Sequence, residues 1–252
     1  MRLNKAIASS GYCSRRKADE LIAGGEVTVN GVRIETLGTQ IDPVNDVVMA
    51  SGKRLELEDP DRKQHLYLAL HKPPNVVSTA RDPQGRKIVL DLLPAAVNEH
   101  RVVPVGRLDY ASEGLLLLTN DGGLVHVLTH PSHHVEKHYR VLVRGSVTRE
   151  RLETMRRGMT LREGEQLAPV QVRIERKLAG GTWLRMALLQ GVNRQIRRMC
   201  RDLGLEVDRL IRTRQGPVDL KGLAVGTYRH VTPSEIRELT RTAGRPHSRA
   251  GL

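Results

Sequence analysis

Along the first fifty-odd residues the apolar positions follow two periods in turn. Leu3, Ala6 and Ile7 recur at helical spacing and predict a short helix over residues 2–10, stopped by Gly11. Ala18, Leu21 and Ile22 repeat that spacing in a second helix, with Ser14 as its N-cap and Gly24-Gly25 as its end. The period then changes from about 3.6 to 2. Val27 and Val29 alternate with Glu26 and Thr28, and Asn30-Gly31 marks a two-residue turn into Val32 and Ile34, a hairpin.

Residues 57–65 lose all periodicity around Pro60 and read as a linker between a domain over residues 1–56 and a larger one over 66–238. In the larger domain, strands are expected at Tyr67–Leu70, Gly114–Leu118, Tyr139–Val143, Val170–Ile174 and Trp183–Leu189. Helices are expected at Gly123–Leu128, Thr148–Arg157 and Asn193–Leu203. The mixture predicts an α+β fold on a largely antiparallel sheet. Leu115–Leu118 is a fully apolar run, as a strand covered on both faces requires. Residues 239–252 carry no apolar pattern and read as a basic, disordered tail.

Charge changes the picture next. Forty-one Lys and Arg against 28 Asp and Glu leave a formal net charge of +13, which calls for a polyanionic partner. A membrane surface is not indicated, because no amphipathic basic helix, lipidation signal or long apolar run is present. The opening MRLNKAIASSGYCSRRK is not a signal peptide, which places the chain in the cytoplasm. Cys13 and Cys200 lack any disulfide or zinc spacing and are expected as reduced thiols. With no Phe and only five Tyr and one Trp, a broad aromatic platform for single-stranded RNA is excluded, so affinity must rest on phosphate charge and shape.

Several charged residues stand out from this background. Arg15, Arg16 and Lys17 fall in the first turn of the second predicted helix, where the helix dipole disfavours cations. They form either a phosphate site or an ordinary solvated turn. In residues 193–204, Ile196, Met199, Cys200 and Leu203 form a core stripe, with Asn193 as cap and Gly204 as stop. Arg194, Arg198 and Arg201 lie opposite the stripe, as a solvated face or a phosphate clamp. Arg197 lies at the stripe's border, where its charge needs a partner such as a carboxylate.

Asp109 sits in GRLDYASEGLLLLTNDG (residues 106–122), on a loop feeding the apolar strand. By residue type alone, Asp109 and Asp121 are both turn caps. Tyr139 alternates with Val141 and Val143 and by spacing alone is a core residue. His130, His133, His134 and His138 lack supporting ligands at a recognised metal spacing, so no metal is expected.

Residues 1–56, with SRR-A-LI followed by G-VTVNG, resemble the S4 RNA-binding domain. GRLD-x-x-S-x-GLLLLTNDG is similar to the signature of the ribosomal RNA pseudouridine synthases that carry an S4 domain, with Ser112 where threonine is usual. LHKPPNVVST (70–79), HPSHHVEKHY (130–139), GVNRQIRRM (191–199) and RLIRTRQGP (209–217) match further segments of that family. The resemblance implies an α+β synthase domain behind an S4 domain. It also implies isomerisation of uridine in ribosomal RNA without a cofactor, by a monomer acting on ribosomal RNA or an assembly intermediate.

It assigns Asp109, Tyr139 and Arg197 to catalysis, as the carboxylate, the ring that holds the base and the carboxylate's partner. It assigns Arg107 to the space left by the flipped base, and Arg15, Arg16 and Lys17 to RNA binding; Lys72 is expected at the RNA as well, and the charge balance favours the phosphate clamp for Arg194 and Arg198. Motif details favour a large-subunit over a small-subunit target. A non-catalytic RNA-binding assembly factor would satisfy the charge equally but leaves Asp109, Tyr139 and Arg197 unexplained. A methyltransferase would need a glycine-rich loop after a strand, and none is present.

Overall fold

The structure, a computed structural model, describes residues 1–57, 64–130 and 135–243. The chain divides into two compact units, Met1–Gln64 and His65–Leu252. Most of the residues read as a linker, 58–63, lie outside the described residues, as do His133, His134 and the end of the predicted tail, 244–252.

In the smaller unit, helices α1 (Leu3–Ser9) and α2 (Arg15–Ala23) precede strands β1 (Val27–Val29), β2 (Val32–Ile34), β3 (Val48–Ala50) and β4 (Lys53–Arg54). The strands form one sheet in the order β2-β1-β3-β4. Asn30 and Gly31 both take positive φ, +52° and +81°, as the right-handed twist of a two-residue hairpin demands. The Ser14 side chain accepts from the Lys17 backbone N–H and fixes the start of α2. Leu3, Ile7, Leu21, Ile22, Val27 and Val48 build a core of this unit's own.

The larger unit runs β5 (Tyr67–Lys72), α3 (Ala95–Glu99), β6 (Val103–Pro104), β7 (Glu113–Thr119), α4 (Gly122–Thr129), β8 (Lys137–Arg144) and α5 (Arg149–Arg157). After it come β9 (Met159–Thr160), β10 (Gln166–Leu167), β11 (Gln171–Leu178), β12 (Gly181–Leu188), α6 (Gln195–Asp202), β13 (Glu206–Gln215), β14 (Val218–Asp219), β15 (Tyr228–His230) and α7 (Pro233–Ala243). Nine strands make one sheet whose main path is β11-β12-β8-β13-β7-β5-β15, with β14 beside β13 and β6 beside β7. The fold is therefore α+β. Among the described residues β13 and β7 pair in parallel, while the other pairings in this sheet are antiparallel.

Every residue of β7 is buried. Leu115 and Leu117 pack on one face under α4 and α7, and Leu116 and Leu118 on the other with Leu68, Leu70 and Leu108. Gly114 opens the strand because β13 passes too close for a side chain: a Cβ there would lie 2.2 Å from the Arg212 carbonyl oxygen.

Two expectations change. Residues 239–243 belong to α7 rather than to a tail, because Leu239 is buried with Val218 and Val231 and Ile236 packs against the same cluster. Helix α6 starts at Gln195, with Arg194 as its N-cap in a left-handed conformation (φ +49°) and no side-chain cap, so Asn193 does not cap it.

Candidate active site

The loop before β7 is held in place from several sides. Ser78 Oγ donates to the Leu108 carbonyl (2.9 Å) and accepts from the Leu108 N–H (3.2 Å). The Asn75 N–H donates to the Tyr110 carbonyl, and the Ser112 N–H closes a turn onto the Asp109 carbonyl. Asp109 is thus carried on a loop whose flanking backbone is already hydrogen-bonded, as a fixed carboxylate requires.

Lys72 completes this frame. It is fully buried, and its ammonium donates to the carbonyls of Pro73 (2.9 Å), Tyr110 (3.3 Å) and Ser112 (2.8 Å). Burial pushes Lys72 down to about 8, against the opposing pull of Asp109 and Glu113. The expectation that Lys72 contacts RNA is corrected: its three N–H donors are already engaged inside the protein.

Asp109 and Arg197 come together across the chain. Arg197 Nε lies 3.8 Å from Asp109 Oδ2, an ion pair longer than a hydrogen bond. The guanidinium also donates to the Val207 carbonyl (3.3 Å) and, weakly, to Ser112 Oγ (3.5 Å). Burial lowers Arg197 from its ordinary value, and Asp109 pulls it back up. Asp121, by contrast, is a local cap: it accepts from the Gly123 and Leu124 N–H groups and from the Tyr67 hydroxyl.

A cavity of about 220 Å³ opens beside Asp109, lined in part by Arg107, Tyr139, Lys137 and Arg194. Tyr139 is half-buried and packs against both the leucines around β7 and the core under α6, so it serves the core and the cavity at once. Arg107 and Arg194 are exposed at the cavity, and neither side chain has a hydrogen bond or ion pair with a described residue.

Arg198 and Arg201 do not form a free phosphate clamp with Arg194. Arg198 pairs with Glu165 (2.6 Å) and Glu163 (3.2 Å), and Arg201 with Glu163 (2.6 Å) and Asp202 (2.8 Å). The acidic turn between β9 and β10 neutralises that face of α6, which removes the expected RNA contact of Arg198 in this conformation. In the smaller unit Arg15 and Arg16 are exposed, and Lys17 makes an exposed ion pair with Glu20 (3.0 Å).

Of the four histidines, the described pair is engaged elsewhere: His138 bonds Glu136 (2.6 Å) and His130 stacks edge-on against His126. Among the described residues no three His, Cys, Asp or Glu side chains gather as metal ligands, and no helix is long and apolar enough to cross a membrane.

Four residues at or behind the cavity went unassigned in the sequence: Ser78, Gln195, Arg212 and Gln215. Only Lys72 left a clear signal of its true place. It shares strand parity with Leu68 and Leu70, both of which face the core.

Comparison with known proteins bears on this site. Residues 66–202 match the RNA pseudouridylate synthase family and residues 1–48 the S4 domain. The ribosomal large subunit pseudouridine synthase B of Bacillus subtilis (strain 168) is 39% identical over 240 residues, covering 94% of this chain and 95% of that protein. The dual-specificity RNA pseudouridine synthase RluF of Escherichia coli (strain K12) is 40% identical over 240 residues, covering 95% of this chain and 78% of its own. A crystal structure of a pseudouridylate synthase superposes with a TM-score of 0.66 at 28% identity, over 95% of this chain and 99% of that one.

Proposed function

The chain belongs to the RNA pseudouridylate synthase family, and from that premise we propose that it converts a uridine of large-subunit ribosomal RNA to pseudouridine, with Asp109 as the catalytic carboxylate. The observation that carries the reading is the convergence of Asp109, Tyr139 and Arg107 on one cavity, with Arg197 paired to Asp109 behind it. The named target of the Bacillus subtilis relative supports the large-subunit assignment.

The reaction breaks the bond between ribose C1′ and uracil N1 and joins C1′ to C5; C5 gives up its proton and N1 takes one. Nothing is gained or lost overall, so the chemistry asks for no cofactor. The uridine must first leave its stack, at a cost of about a few kcal/mol that is smallest in a loop or bulge. Arg107, exposed and unpaired among the described residues, fills the gap left in the RNA. Asp109 then either attacks C1′ or takes the C2′ proton. Both routes need an ionised carboxylate, which the Arg197 guanidinium favours. Tyr139 lies against the detached base and keeps it in the cavity while it turns. Arg15, Arg16, Lys17 and Arg194 meet phosphates.

The test is to incubate the chain with ribosomal RNA from cells lacking its gene and to map pseudouridine at nucleotide resolution. Wild type should restore a modified position in the large-subunit RNA, and Asp109→Asn should lower turnover by about a thousandfold or more with RNA affinity near wild type. Turnover retained in Asp109→Asn overturns the catalytic assignment, and pseudouridine appearing only in small-subunit RNA overturns the target.

A further inference from the structure

The cavity beside Asp109 is also lined by three side chains that the proposed chemistry does not use. Gln195, Arg212 and Gln215 are 5%, 3% and 1% exposed. Among the described residues, five buried side-chain polar atoms lack a hydrogen-bond partner. Three of the five are here: Gln195 Nε2, Arg212 Nη2 and Gln215 Oε1. An unsatisfied buried polar atom is costly, so three gathered around one cavity mark it as a place suited to receive a polar group.

Their orientations have local causes. The Val192 N–H donates to Gln195 Oε1 (3.3 Å), which leaves the amide nitrogen as the free end. Arg212 Nε donates to the Leu115 carbonyl (2.7 Å), which anchors the guanidinium and leaves Nη2 over. On β13 the register with β8 slips between Arg212 and Arg214, so that Arg212 stands opposite Tyr139 and Gln215 opposite Lys137. This bulge brings two residues three apart to the same cavity, where a regular strand would turn them to opposite faces.

We propose that Gln195 Nε2, Gln215 Oε1 and Arg212 Nη2 read the Watson–Crick edge of the extruded base and select uracil over cytosine. Uracil presents acceptor, donor, acceptor in O4, N3–H and O2, which the set of two donors and one acceptor complements. Cytosine presents an amine and a bare N3 at the first two places. It would set donor against donor and acceptor against acceptor. The site's own unpaired groups then penalise the wrong base. This inference deepens the proposed function and rests on it for the identity of the base.

The full-length protein can be titrated with uridine 5′-monophosphate and with cytidine 5′-monophosphate, following the glutamine side-chain amides by NMR. Wild type should favour the uridine nucleotide by at least about tenfold, with the Gln195 amide resonances moving for it and not for the cytidine nucleotide. Gln215→Met and Gln195→Met should bring the two affinities within about twofold of each other, and Gln215→Met, which removes no side-chain hydrogen bond with a described residue, should do so at an unchanged melting temperature. Gln215→Glu keeps an acceptor and should keep the preference.

Equal affinities in wild type, or a preference that survives Gln215→Met, overturns the proposal; so does a parallel loss of both affinities, which marks a structural role. Failure of the reaction itself reads out separately, as absent pseudouridine in ribosomal RNA or as turnover persisting in Asp109→Asn. Neither outcome depends on the nucleotide preference.

Discussion

Arg15 and Arg16 of the smaller unit stand in solvent at the start of α2, while in the larger unit Lys72 is buried with its three donors on named carbonyls and Arg197 is half-buried against Asp109, Ser112 and Val207. The same charge does different work in the two places. An exposed cation keeps its hydration and is available to a phosphate, so its contribution is screened by salt and tolerant of position. A buried cation loses that hydration and persists only where fixed oxygens replace water, so it orders whatever carries those oxygens. In this protein those oxygens belong mostly to the Asp109 loop and the turn beside it. Under the proposed function, the smaller unit's cations would tune how well RNA is held, and the cations drawn into the larger unit would hold the Asp109 loop in place.

The contrast can be broken at either end. Arg197→Met should lower turnover by about a hundredfold or more, since it leaves Asp109 without its cation, yet should change RNA affinity by less than about threefold. A loss of affinity with turnover per bound RNA intact would place Arg197 with the surface cations instead. Lys72→Met should reduce kcat by about ten- to a hundredfold by loosening the loop and lower unfolding stability by about 1–3 kcal/mol by leaving three carbonyls unsatisfied. Chemical denaturation alongside single-turnover assays separates the two effects.

The paired change Arg15→Ala and Arg16→Ala should weaken RNA binding by about tenfold and reduce the slope of log affinity against log salt by about 2, with single-turnover rates at saturation unchanged. An unchanged salt slope would remove these arginines from the interface. The smallest effect concerns pH. Lys72 titrates at about 8 when folded and near 10.5 when unfolded, so between those values the unfolded chain holds a proton that the native protein has lost. Stability from this group therefore rises with pH across that interval, by up to about 1.4 kcal/mol per pH unit, and is at its lowest below pH 8. Lys137, lowered to about 8 by burial, adds a slope of the same sign. Denaturation midpoints from pH 7 to 10.5 should accordingly rise less steeply in Lys72→Met than in wild type.

Part of the architecture could be read directly from local pattern. The β1–β2 hairpin follows from Asn30-Gly31, the start of α2 from Ser14, and the double-sided burial of β7 from four consecutive leucines. Helix α7 also carries a local signal. Thr232 and Glu235 form a reciprocal capping box, with the Glu235 N–H donating to Thr232 Oγ1 (3.2 Å) and the Thr232 N–H to Glu235 Oε2 (2.8 Å). Strand β13 was not legible. Its inward positions include Arg212 and Gln215, and two bulges break its parity, so a central strand of the sheet reads as a charged loop.

By itself the sequence determined the Ser14 cap of α2, the tight turn, the apolar strand and the family motifs around Asp109. All of these depend on residues close together in the chain, where periodicity and backbone hydrogen bonding act directly. Only the tertiary structure decided which cations were free. Arg198 and Arg201 meet the acidic turn at Glu163 and Glu165, and Lys72 meets carbonyls up to 40 residues away. A charge's role is set by the oxygens that replace its water, and chain folding brings those oxygens from distant positions.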